Sequence, residues 1–352
     1  MSTDFKSLIL SSLETMRLGE MAKKEPFKAR AYKKAIDALK RFEGPIVRPE
    51  DIKNVEGVGA KIYEKISEIV ATGGLKAAER MRETTQVGAL ETLLQVHGIG
   101  PAKARMLIDA GIRTIEDLRK AHAADPELLT EAQSLGLRYY EAGLQRIPRA
   151  EMTAHEAMLL GSLTGSLTGT REGTLTGTRE GAREGTLSGT IVGSYRRGAA
   201  DSGDVDMLVT YPVGMDDKAA QKLFQAFVAG LERKSYIVGK LAGGAKKWMG
   251  YVKLSADSVP RRLDLLLTPP SEFAYALFYF TGSDRFNVAF RRHCLDLGYT
   301  LNEHVMKATA KGEEKHVRTV PTMATEKDIF DFVGLRFVPP TERVDGRQIQ
   351  VV

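Results

Sequence analysis

Two Gly-x-Gly turns in similar helical surroundings constrain the first part of the chain more than any other feature. The first is Gly57-Val58-Gly59, and the second, 41 residues later, is Gly98-Ile99-Gly100. An apolar pattern of helical spacing lies on both sides of each turn. Glycine permits positive φ and lets the N–H groups at the start of the next helix approach a phosphate closely. The pattern therefore predicts two helical hairpins whose turns can bind phosphate.

Both turns resemble the helix-hairpin-helix motif of sequence-independent DNA binding, although two ordinary turns between antiparallel helices would also satisfy the pattern. The net charge of +6 and the pI near 9.2 suit a polyanionic partner, yet many basic proteins bind none. Between Met21 and Lys34 there are six basic residues and one acid. Lys28 and Tyr32, four residues apart, share a helix face and can serve one ligand. The alternative is a solvated basic helix.

Lys61 and Lys65 follow the first turn at helical spacing. A lysine crowded by other cations loses proton affinity and can act as an amine nucleophile near neutral pH. Neutralisation of a bound phosphate is the alternative, and spacing alone favours it.

A second constraint is the run Gly193-Ser194-Tyr195-Arg196-Arg197-Gly198, which is followed closely by Gly203-Asp204-Val205-Asp206. Alternate side chains of a strand face the same side, so Asp204 and Asp206 project together while Val205 packs behind them. Asp264 adds a third carboxylate on a later apolar strand. Three acids on adjacent strands can hold two Mg²⁺ ions about 4 Å apart.

The Gly-Ser turn and the arginine beside these acids indicate nucleotidyl transfer. Ser194 and Arg197 are predicted phosphate ligands, the arginine through its fork of donors. A surface charge is the alternative for Arg197.

Glycine recurs at every fourth position from Gly161 to Gly193. Because glycine costs about 1 kcal/mol in a helix interior, a long helix is disfavoured through most of this repeat. We expect a flexible surface excursion, with a threonine-rich strand pair as the alternative.

Composition excludes several classes of protein. Cys294 is the only cysteine, so an internal disulfide framework and a cysteine-cluster zinc site are ruled out. No apolar run reaches about 18 residues, and the N-terminus lacks the features of a signal peptide. We expect a soluble, intracellular protein that is not secreted.

Long motifs in a fixed order run through nearly the whole chain. They are Lys61-Ile62-x-Glu64-Lys65, Gly98-Ile99-Gly100-Pro101, Arg146-Ile147-Pro148-Arg149, the Gly193-Ser194 motif, Arg262-Leu263-Asp264, Tyr279-Phe280-Thr281-Gly282-Ser283-Asp284-x-Phe286-Asn287 and Glu326-Lys327-Asp328-Ile329-Phe330. Together they resemble the DNA polymerase X family. The resemblance implies an α+β chain in which all-helical helix-hairpin-helix domains precede a mixed-sheet nucleotidyltransferase palm and a small α+β C-terminal subdomain.

We expect four parts on this basis. Residues 1–82 would be a DNA-binding and lyase domain and residues 83–147 a second helix-hairpin-helix subdomain. Residues 148–268 would be the palm, with the glycine repeat inserted near 161–190. Residues 269–352 would bind the nascent base pair and include a loosely held tail from Asp345 to Val352.

The resemblance also implies a role for each matching residue. Asp204, Asp206 and Asp264 would bind metal, with Asp264 taking the primer hydroxyl proton, and Lys65 would be the Schiff-base lysine. The residues holding the incoming nucleotide would be Arg149, Ser194, Arg197, Gly203, Tyr279, Phe280, Gly282, Asp284 and Asn287. The DNA contacts would come from Lys28, Tyr32, Lys53, Lys61, the glycines of both hairpins and Arg291.

By the same resemblance the function would be gap-filling DNA synthesis in base excision repair together with 5′-deoxyribose phosphate lyase activity. The implied cofactors are two Mg²⁺ ions, with Mn²⁺ as a substitute and a monovalent cation at the hairpins. The implied partners are gapped or nicked DNA and deoxynucleoside triphosphates, and we expect a monomer in the nucleus or a viral or cytoplasmic equivalent. Template-independent or end-joining synthesis is the rival enzyme function, and a DNA-binding scaffold with an inactive palm is the non-enzymatic alternative.

Three positions depart from the family pattern. Phe27 replaces a histidine and can stack on a base without hydrogen bonding. Ala77 replaces a basic residue. Leu266 stands two residues after Asp264 in place of an arginine, which puts in doubt any conformational switch that uses that arginine.

Overall fold

The computed structural model describes residues 4–23, 25–42, 44–83, 85–165, 186–309 and 318–352. The chain divides into two compact units, which we call the helical unit (Met1–Tyr140) and the sheet unit (Glu141–Val352). Among the described residues, none of the helices combines the length and apolar character needed to cross a bilayer.

The described residues of the helical unit form eight helices that pack around an apolar core. They are α1 (Lys6–Ala22), α2 (Pro26–Arg41), α3 (Ala60–Thr72), α4 (Lys76–Glu83), α5 (Thr85–Leu94), α6 (Pro101–Asp109), α7 (Ile115–Ala124) and α8 (Glu131–Arg138), with 3-10 turns at Pro49–Ile52 and Pro126–Leu128. The helical spacing over residues 7–42 breaks where Pro26 begins α2, because proline fits the first turn of a helix and cannot continue one.

Both Gly-x-Gly turns adopt the predicted hairpin geometry. Gly57 has φ 102° and Gly98 has φ 82°, and the second glycine of each turn is the residue that precedes α3 or α6. A β-carbon at Gly57 would lie 3.2 Å from a side-chain carbon of Lys34 on α2. Positive φ and close packing therefore both require glycine at this position.

In the sheet unit, the residues that the structure describes include a five-stranded mixed sheet. After a helical turn α9 (Tyr140–Gly143), its elements are β1 (Ile147–Pro148), α10 (Arg149–Gly165), β2 (Ser188–Ile191), α11 (Gly193–Arg196), β3 (Asp201–Ser202), β4 (Val205–Thr210), α12 (Asp217–Arg233), β5 (Ile237–Gly243), β6 (Lys247–Val252) and β7 (Arg261–Leu267). The strand order is β2-β4-β7-β6-β5, and the β4–β7 pair is parallel. Strands β1 and β3 form a separate two-stranded sheet.

Alternation along the strands places the core on one face of the large sheet. On β7 the side chains of Leu263, Leu265 and Leu267 are buried with those of Val205 and Met207 on β4. This face was predicted from the period of two in the sequence.

The ends of the glycine repeat are ordered parts of this unit. Gly161 to Gly165 continue α10, and Ser188–Ile191 forms β2, which pairs with β4 at the edge of the sheet. The rest of the predicted excursion, residues 166–185, lies outside the described residues.

The last part of the sheet unit surrounds a phenylalanine cluster. Its elements are α13 (Phe273–Thr281), α14 (Asp284–Asp296), β8 (Tyr299–Leu301), β9 (Met306–Ala308) and α15 (Glu326–Phe332), with 3-10 turns at Pro340–Glu342 and Gly346–Gln348. The tail is not loosely held as predicted, because Val351 forms a bridge with Leu335 and the Arg336 N–H donates to the Gln350 carbonyl oxygen at 2.9 Å. The predicted α+β class, with helices first and a mixed sheet after them, is confirmed.

Candidate active site

Strands β4 and β7 bring two of the predicted carboxylates together. Asp206 and Asp264 are direct partners in this parallel pair, and neighbouring strands lie about 4.8 Å apart. Because the residues on either side of each aspartate point into the core, both carboxylates lie on the opposite face of the sheet. The parallel pairing of strands 58 residues apart in the sequence therefore creates a two-acid centre.

Asp204 completes the set from the turn before β4. Its side chain is hydrogen-bonded to that of Asp206. Both side chains are largely buried, and burial disfavours the ionised form of each carboxyl group. Burial first, and then repulsion from Asp204 and Asp264, raise the pKa of Asp206 to about 7. Burial and the Asp264 charge also raise the pKa of Asp204. The site thus concentrates negative charge that a cation would relieve.

The donor set suits a hard divalent cation. Carboxylate oxygens are the ligands that Mg²⁺ prefers, and Asp204 and Asp206 offer adjacent oxygens with raised pKa values. In the described part of the chain no three acidic, histidine or cysteine side chains converge as a formed metal-binding group. Beside this pair of acids, Arg262 Nη2 donates to Oδ1 of Asp264 at 2.9 Å.

The Gly-Ser turn lies against the same carboxylates. Gly193 has φ 63°, and a β-carbon there would lie 3.1 Å from Oδ2 of Asp206. Ser194 Oγ donates to Ser202 Oγ at 2.8 Å, which joins this turn to β3. The first glycine of the motif is therefore required both by conformation and by the approach of the backbone to the acids.

Arg197 is held next to the end of α13. Its Nη1 donates to the Thr281 carbonyl oxygen at 2.5 Å, and a β-carbon at Gly282 would lie 3.2 Å from the same nitrogen. Burial lowers the pKa of Arg197, and the Asp284 carboxylate partly offsets this effect. The structure thus brings together Arg197, Gly282 and Asp284 from the predicted set.

Arg149 contacts the turn that contains Ser194. Its Nη1 donates to the carbonyl oxygens of Tyr195 at 3.0 Å and Ala199 at 3.1 Å. Its guanidinium also lies 4.5 Å from the centre of the Tyr195 ring. In this arrangement Arg149 holds the backbone of the turn that contains Ser194.

The predicted nucleotide-contacting residues of α13 and α14 form one local group. Asn287 Nδ2 donates to the Tyr279 carbonyl oxygen at 2.7 Å, and the Tyr279 and Phe280 rings meet edge to face at 5.2 Å. Oδ1 of Asn287 is buried and has no hydrogen-bond partner among the described residues. Arg291 lies one turn further along α14 with its side chain exposed.

Comparisons with known proteins agree with this geometry along nearly the whole chain. Family models match a helix-hairpin-helix domain at residues 5–75, the fingers domain of DNA polymerase lambda at 91–142, the DNA polymerase beta palm at 146–270 and the DNA polymerase beta thumb at 276–344. DNA polymerase lambda of Rattus norvegicus is 31% identical over 97% of this chain. The chain belongs to the DNA polymerase X family. DNA polymerase lambda of Arabidopsis thaliana is 29% identical over 89% of the chain, and the chain spans 57% of the length of each of these relatives.

The residues that the X-family resemblance assigns to lyase chemistry all lie in the helical unit. Lys61 and Lys65 are one turn apart on α3, with Lys61 exposed and Lys65 half-buried. Tyr32 on α2 is buried, and burial followed by the Glu20 charge raises its pKa. Lys28 Nζ lies 3.9 Å from a carboxylate oxygen of Glu20. Lys53 is exposed just after the first 3-10 turn.

Sequence reasoning missed Arg146 as a member of the palm site. Its Nε and Nη2 bind Oδ1 of Asp201 at 3.0 and 2.7 Å, and a β-carbon at Gly203 would lie 3.1 Å from Nη1. Its charge also lowers the pKa of Asp204, though by less than burial raises it. The pairing of β1 with β3 places Arg146 here, and two strands of two residues each leave no periodic signal in a sequence.

Proposed function

We propose that this X-family chain is a DNA-directed DNA polymerase that fills short gaps in base excision repair and also removes 5′-deoxyribose phosphate. The observation that carries the proposal is the pairing of Asp206 with Asp264 across β4 and β7, with Asp204 hydrogen-bonded beside them. This arrangement fits nucleotidyl transfer, in which positioning and charge neutralisation supply most of the rate enhancement. The matches to polymerase palm and thumb models support it.

Three carboxylates would hold two Mg²⁺ ions, with Mn²⁺ as a substitute. When bound, such ions lower the pKa of the attacking hydroxyl and neutralise the triphosphate. Asp204 and Asp206 would supply ligands from the turn before β4 and from its first residues. Asp264 would accept the proton of the primer 3′-hydroxyl at its carboxylate, because it lies directly beside Asp206.

The triphosphate would be held from the Gly-Ser turn. Its ligands would be Arg149, Ser194, Arg197 and Gly203, and Arg149 already donates to the Tyr195 carbonyl oxygen in the same turn as Ser194. Tyr279, Phe280, Gly282, Asp284 and Asn287 would line the sugar and base, and Arg291 would contact the template. The backbone from Tyr279 to Gly282 would exclude a ribose 2′-hydroxyl sterically.

Lys65 would carry the lyase reaction. Its amine would attack the C1′ aldehyde of the 5′-deoxyribose phosphate and form a Schiff base with loss of water. β-Elimination would then break the C3′–O bond and release the 5′-phosphorylated DNA, and hydrolysis of the Schiff base would free the sugar from Lys65. Lys28, Tyr32, Lys53 and Lys61 would hold the 5′-phosphate. We further propose that the protein acts as a monomer in the nucleus or an equivalent compartment, with a monovalent cation at the hairpin turns.

The polymerase proposal is tested by Mg²⁺-dependent incorporation of one nucleotide into a one-nucleotide gap. Asp264→Asn should abolish incorporation while DNA binding persists, because the variant loses a charge and keeps the shape of the side chain. Asp331→Asn is the matched control, since Asp331 is exposed and paired with Lys327 on α15. Wild-type extension of an untemplated single strand as fast as the gapped substrate would favour the template-independent alternative, and absent incorporation with tight DNA binding would favour a scaffold.

The lyase proposal needs a separate experiment. Borohydride should trap the wild-type protein covalently on an incised abasic site. Lys65→Arg keeps the positive charge and removes the primary amine, so trapping should disappear. Lys61→Arg is the control on the same helix, and its trapping should persist. Trapping that is undiminished in Lys65→Arg would contradict the assignment.

A further inference from the structure

Tyr195 lies in the Gly-Ser turn of the active site and has no role in the function proposed above. Its side chain is half-buried and lies along one face of α10, between the Arg149 guanidinium and the Glu156 carboxylate. Arg149, Thr153 and Glu156 share that face, because they are four and then three residues apart on the helix. The Tyr195 side chain therefore spans about two turns of α10.

The ring of Tyr195 supports Arg149. The guanidinium carbon lies 4.5 Å from the ring centre, which is within the range of a cation–π contact. Nη1 of Arg149 also donates to the carbonyl oxygens of Tyr195 at 3.0 Å and Ala199 at 3.1 Å, which uses both of its hydrogens. Among the described residues, no acceptor is bonded to Nε or Nη2 of Arg149. The guanidinium is thus fixed on one side, and its remaining N–H donors can bind a ligand.

The hydroxyl of Tyr195 is fixed to α10. It donates to Oε2 of Glu156 at 2.7 Å and lies 3.1 Å from Oγ1 of Thr153, which in turn donates to the Arg149 carbonyl oxygen at 3.1 Å. Burial raises the pKa of Tyr195, Thr153 offsets part of that rise and Glu156 adds to it. The hydroxyl therefore stays a donor at neutral pH. In the part of the chain that the structure describes, no cationic side chain pairs with Glu156, so this carboxylate is held by Tyr195.

Holding Arg149 in advance favours the binding of an anion. Arg149 is exposed, and an exposed arginine loses rotamer freedom when it binds a ligand. The contacts with Tyr195 remove part of that freedom before the ligand arrives. Because the Tyr195 carbonyl oxygen also accepts from Arg149, the guanidinium is fixed relative to Ser194, the preceding residue of the turn.

We propose that Tyr195 and Glu156 are positioning residues for the triphosphate of the incoming nucleotide. Glu156 holds the Tyr195 hydroxyl, the Tyr195 ring holds the Arg149 guanidinium, and the remaining donors of Arg149 bind the triphosphate. Tyr195 and Glu156 act through Arg149. The inference rests on the proposed function, in which Arg149 is a triphosphate ligand.

The test measures the affinity of the full-length protein, bound to DNA with a one-nucleotide gap, for the complementary deoxynucleoside triphosphate and Mg²⁺. The primer ends in a dideoxynucleotide, so calorimetry reads binding without incorporation. The variants are Tyr195→Leu, Arg149→Gln and the two combined. Phe332→Leu is the matched control, because the exposed Arg318 stacks on the half-buried Phe332 ring at 4.8 Å and donates to the carbonyl oxygen of that residue at 2.6 Å.

Tyr195→Leu should weaken nucleotide binding by about fivefold, the usual size of an exposed cation–π contact. Arg149→Gln should weaken it by about 10- to 100-fold, as for the loss of hydrogen bonds to a charged group. The combined variant should bind like Arg149→Gln alone, because Tyr195 acts through Arg149. Tyr195→Phe keeps the ring and should lie between the wild type and Tyr195→Leu, and Phe332→Leu should bind like the wild type.

Two results overturn the proposal. One is losses that multiply in the combined variant, and the other is wild-type affinity in Tyr195→Leu or in Arg149→Gln. Far-UV circular dichroism checks folding. If Tyr195→Leu fails to fold, Glu156→Ala takes its place in the same cycle, and Glu156→Gln, which keeps an acceptor for the hydroxyl, should recover the wild-type affinity.

Incorporation on the same DNA with an ordinary primer separates this inference from the proposed function. Losses that do not multiply, in a protein that never incorporates nucleotide, keep the role of Tyr195 and remove the polymerase assignment. Normal incorporation with losses that multiply removes the role of Tyr195 alone. A wild-type protein that binds no nucleotide overturns both.

Discussion

Arg262 Nη2 lies 2.9 Å from Oδ1 of Asp264, two residues further along the same strand. Alternate positions of β7 share a face, so this pair is built into the strand and needs no loop to form it. Both side chains are mostly buried, at 22% and 26% exposure. The carboxylate that we expect to take the primer proton is therefore oriented by its own strand.

Arg262→Gln should lower kcat for gap filling by about 10- to 100-fold, the usual effect of removing a group that orients a functional carboxylate. KM for the incoming nucleotide should change little, since Arg262 acts through Asp264. Single-turnover kinetics on a one-nucleotide gap measures both. Arg292→Gln is the control, because Arg292 makes a similar pair with Asp296 on the exposed side of α14. A raised KM with unchanged kcat would assign Arg262 to nucleotide binding.

The raised pKa of Asp206 predicts how metal binding depends on pH. Burial and the neighbouring acids raise this pKa to about 7, so a proton competes with Mg²⁺ below that value. Mg²⁺ affinity should therefore fall by up to about tenfold per pH unit as pH is lowered. Calorimetric titration with Mg²⁺, without nucleotide, one pH unit below and one above that pKa would measure the change. Asp204→Asn removes a repelling charge and should move the transition to lower pH.

The same shift predicts the stability of the metal-free protein. Since the folded state binds the Asp206 proton more tightly than the unfolded chain, stability contributed by that proton is present at low pH. It should be lost as pH rises from the ordinary aspartate range through about 7. Added Mg²⁺ should restore it.

Patterns of period two and long motifs made much of the site predictable. The alternation in Arg262-Leu263-Asp264-Leu265 predicts which face of β7 is buried, and the Asp-x-Asp pattern predicts that two acids share a face at β4. The spacing of Thr114 and Asp117 is typical of a helix cap, and the Thr114 side chain accepts from the Asp117 N–H at 3.0 Å. These features depend on residues close together in the sequence, where spacing determines geometry.

Contacts between residues that are distant in the sequence leave no pattern in the sequence from which they could be predicted. The stacking of Arg149 on Tyr195 and the placement of Arg146 beside Gly203 follow from the pairing of β1 with β3. Strand β5 carries no such signal, because its residues are half-buried or exposed and lack a buried alternation. Leu266 is half-buried beside Val192, Leu208 and Ala276, so an apolar contact with α13 stands where the family pattern has an arginine. Sequence alone identified that departure without giving its surroundings.

Glu326 joins two arginines inside the sheet unit. Its carboxylate accepts from Arg196 Nη2 at 2.6 Å and from Arg343 Nη1 at 2.5 Å, and Arg343 is fully buried among four phenylalanine rings. Glu326→Gln leaves a buried cation without its counter-charge and should destabilise the unit by about 3 to 5 kcal/mol. Urea unfolding followed by fluorescence of Trp248, the single tryptophan and a buried residue of this unit, measures the loss.

Asp331→Asn is the control for Glu326, since it breaks an exposed pair with Lys327 that is worth about 1 kcal/mol or less. Equal losses in the two variants would mean that solvent screens the Glu326 pairs despite their burial.

His155 should make the stability of the same unit depend on pH. The ring is fully buried on α10, and Nδ1 is hydrogen-bonded to the Tyr236 hydroxyl at 2.6 Å. Nε2 lies 3.7 Å from Glu151, a separation too long for a hydrogen bond. Burial dominates and lowers the pKa of His155 to about 4, against 6.5 for an ordinary histidine.

Because the unfolded chain takes up this proton more readily than the folded one, the contribution of neutral His155 is complete above pH 6.5. It is lost as pH falls towards about 4, by at most about 1.4 kcal/mol per pH unit. His155→Gln should remove this dependence in Trp248-monitored urea unfolding, whereas His304→Gln, at an exposed position, should keep it. Arg261 lowers the pKa of Glu151, so the contribution of that carboxylate is also lost as pH falls, starting in the ordinary glutamate range at the acid end of the His155 window. A wild-type slope that persists in His155→Gln would place the titrating group elsewhere in the unit.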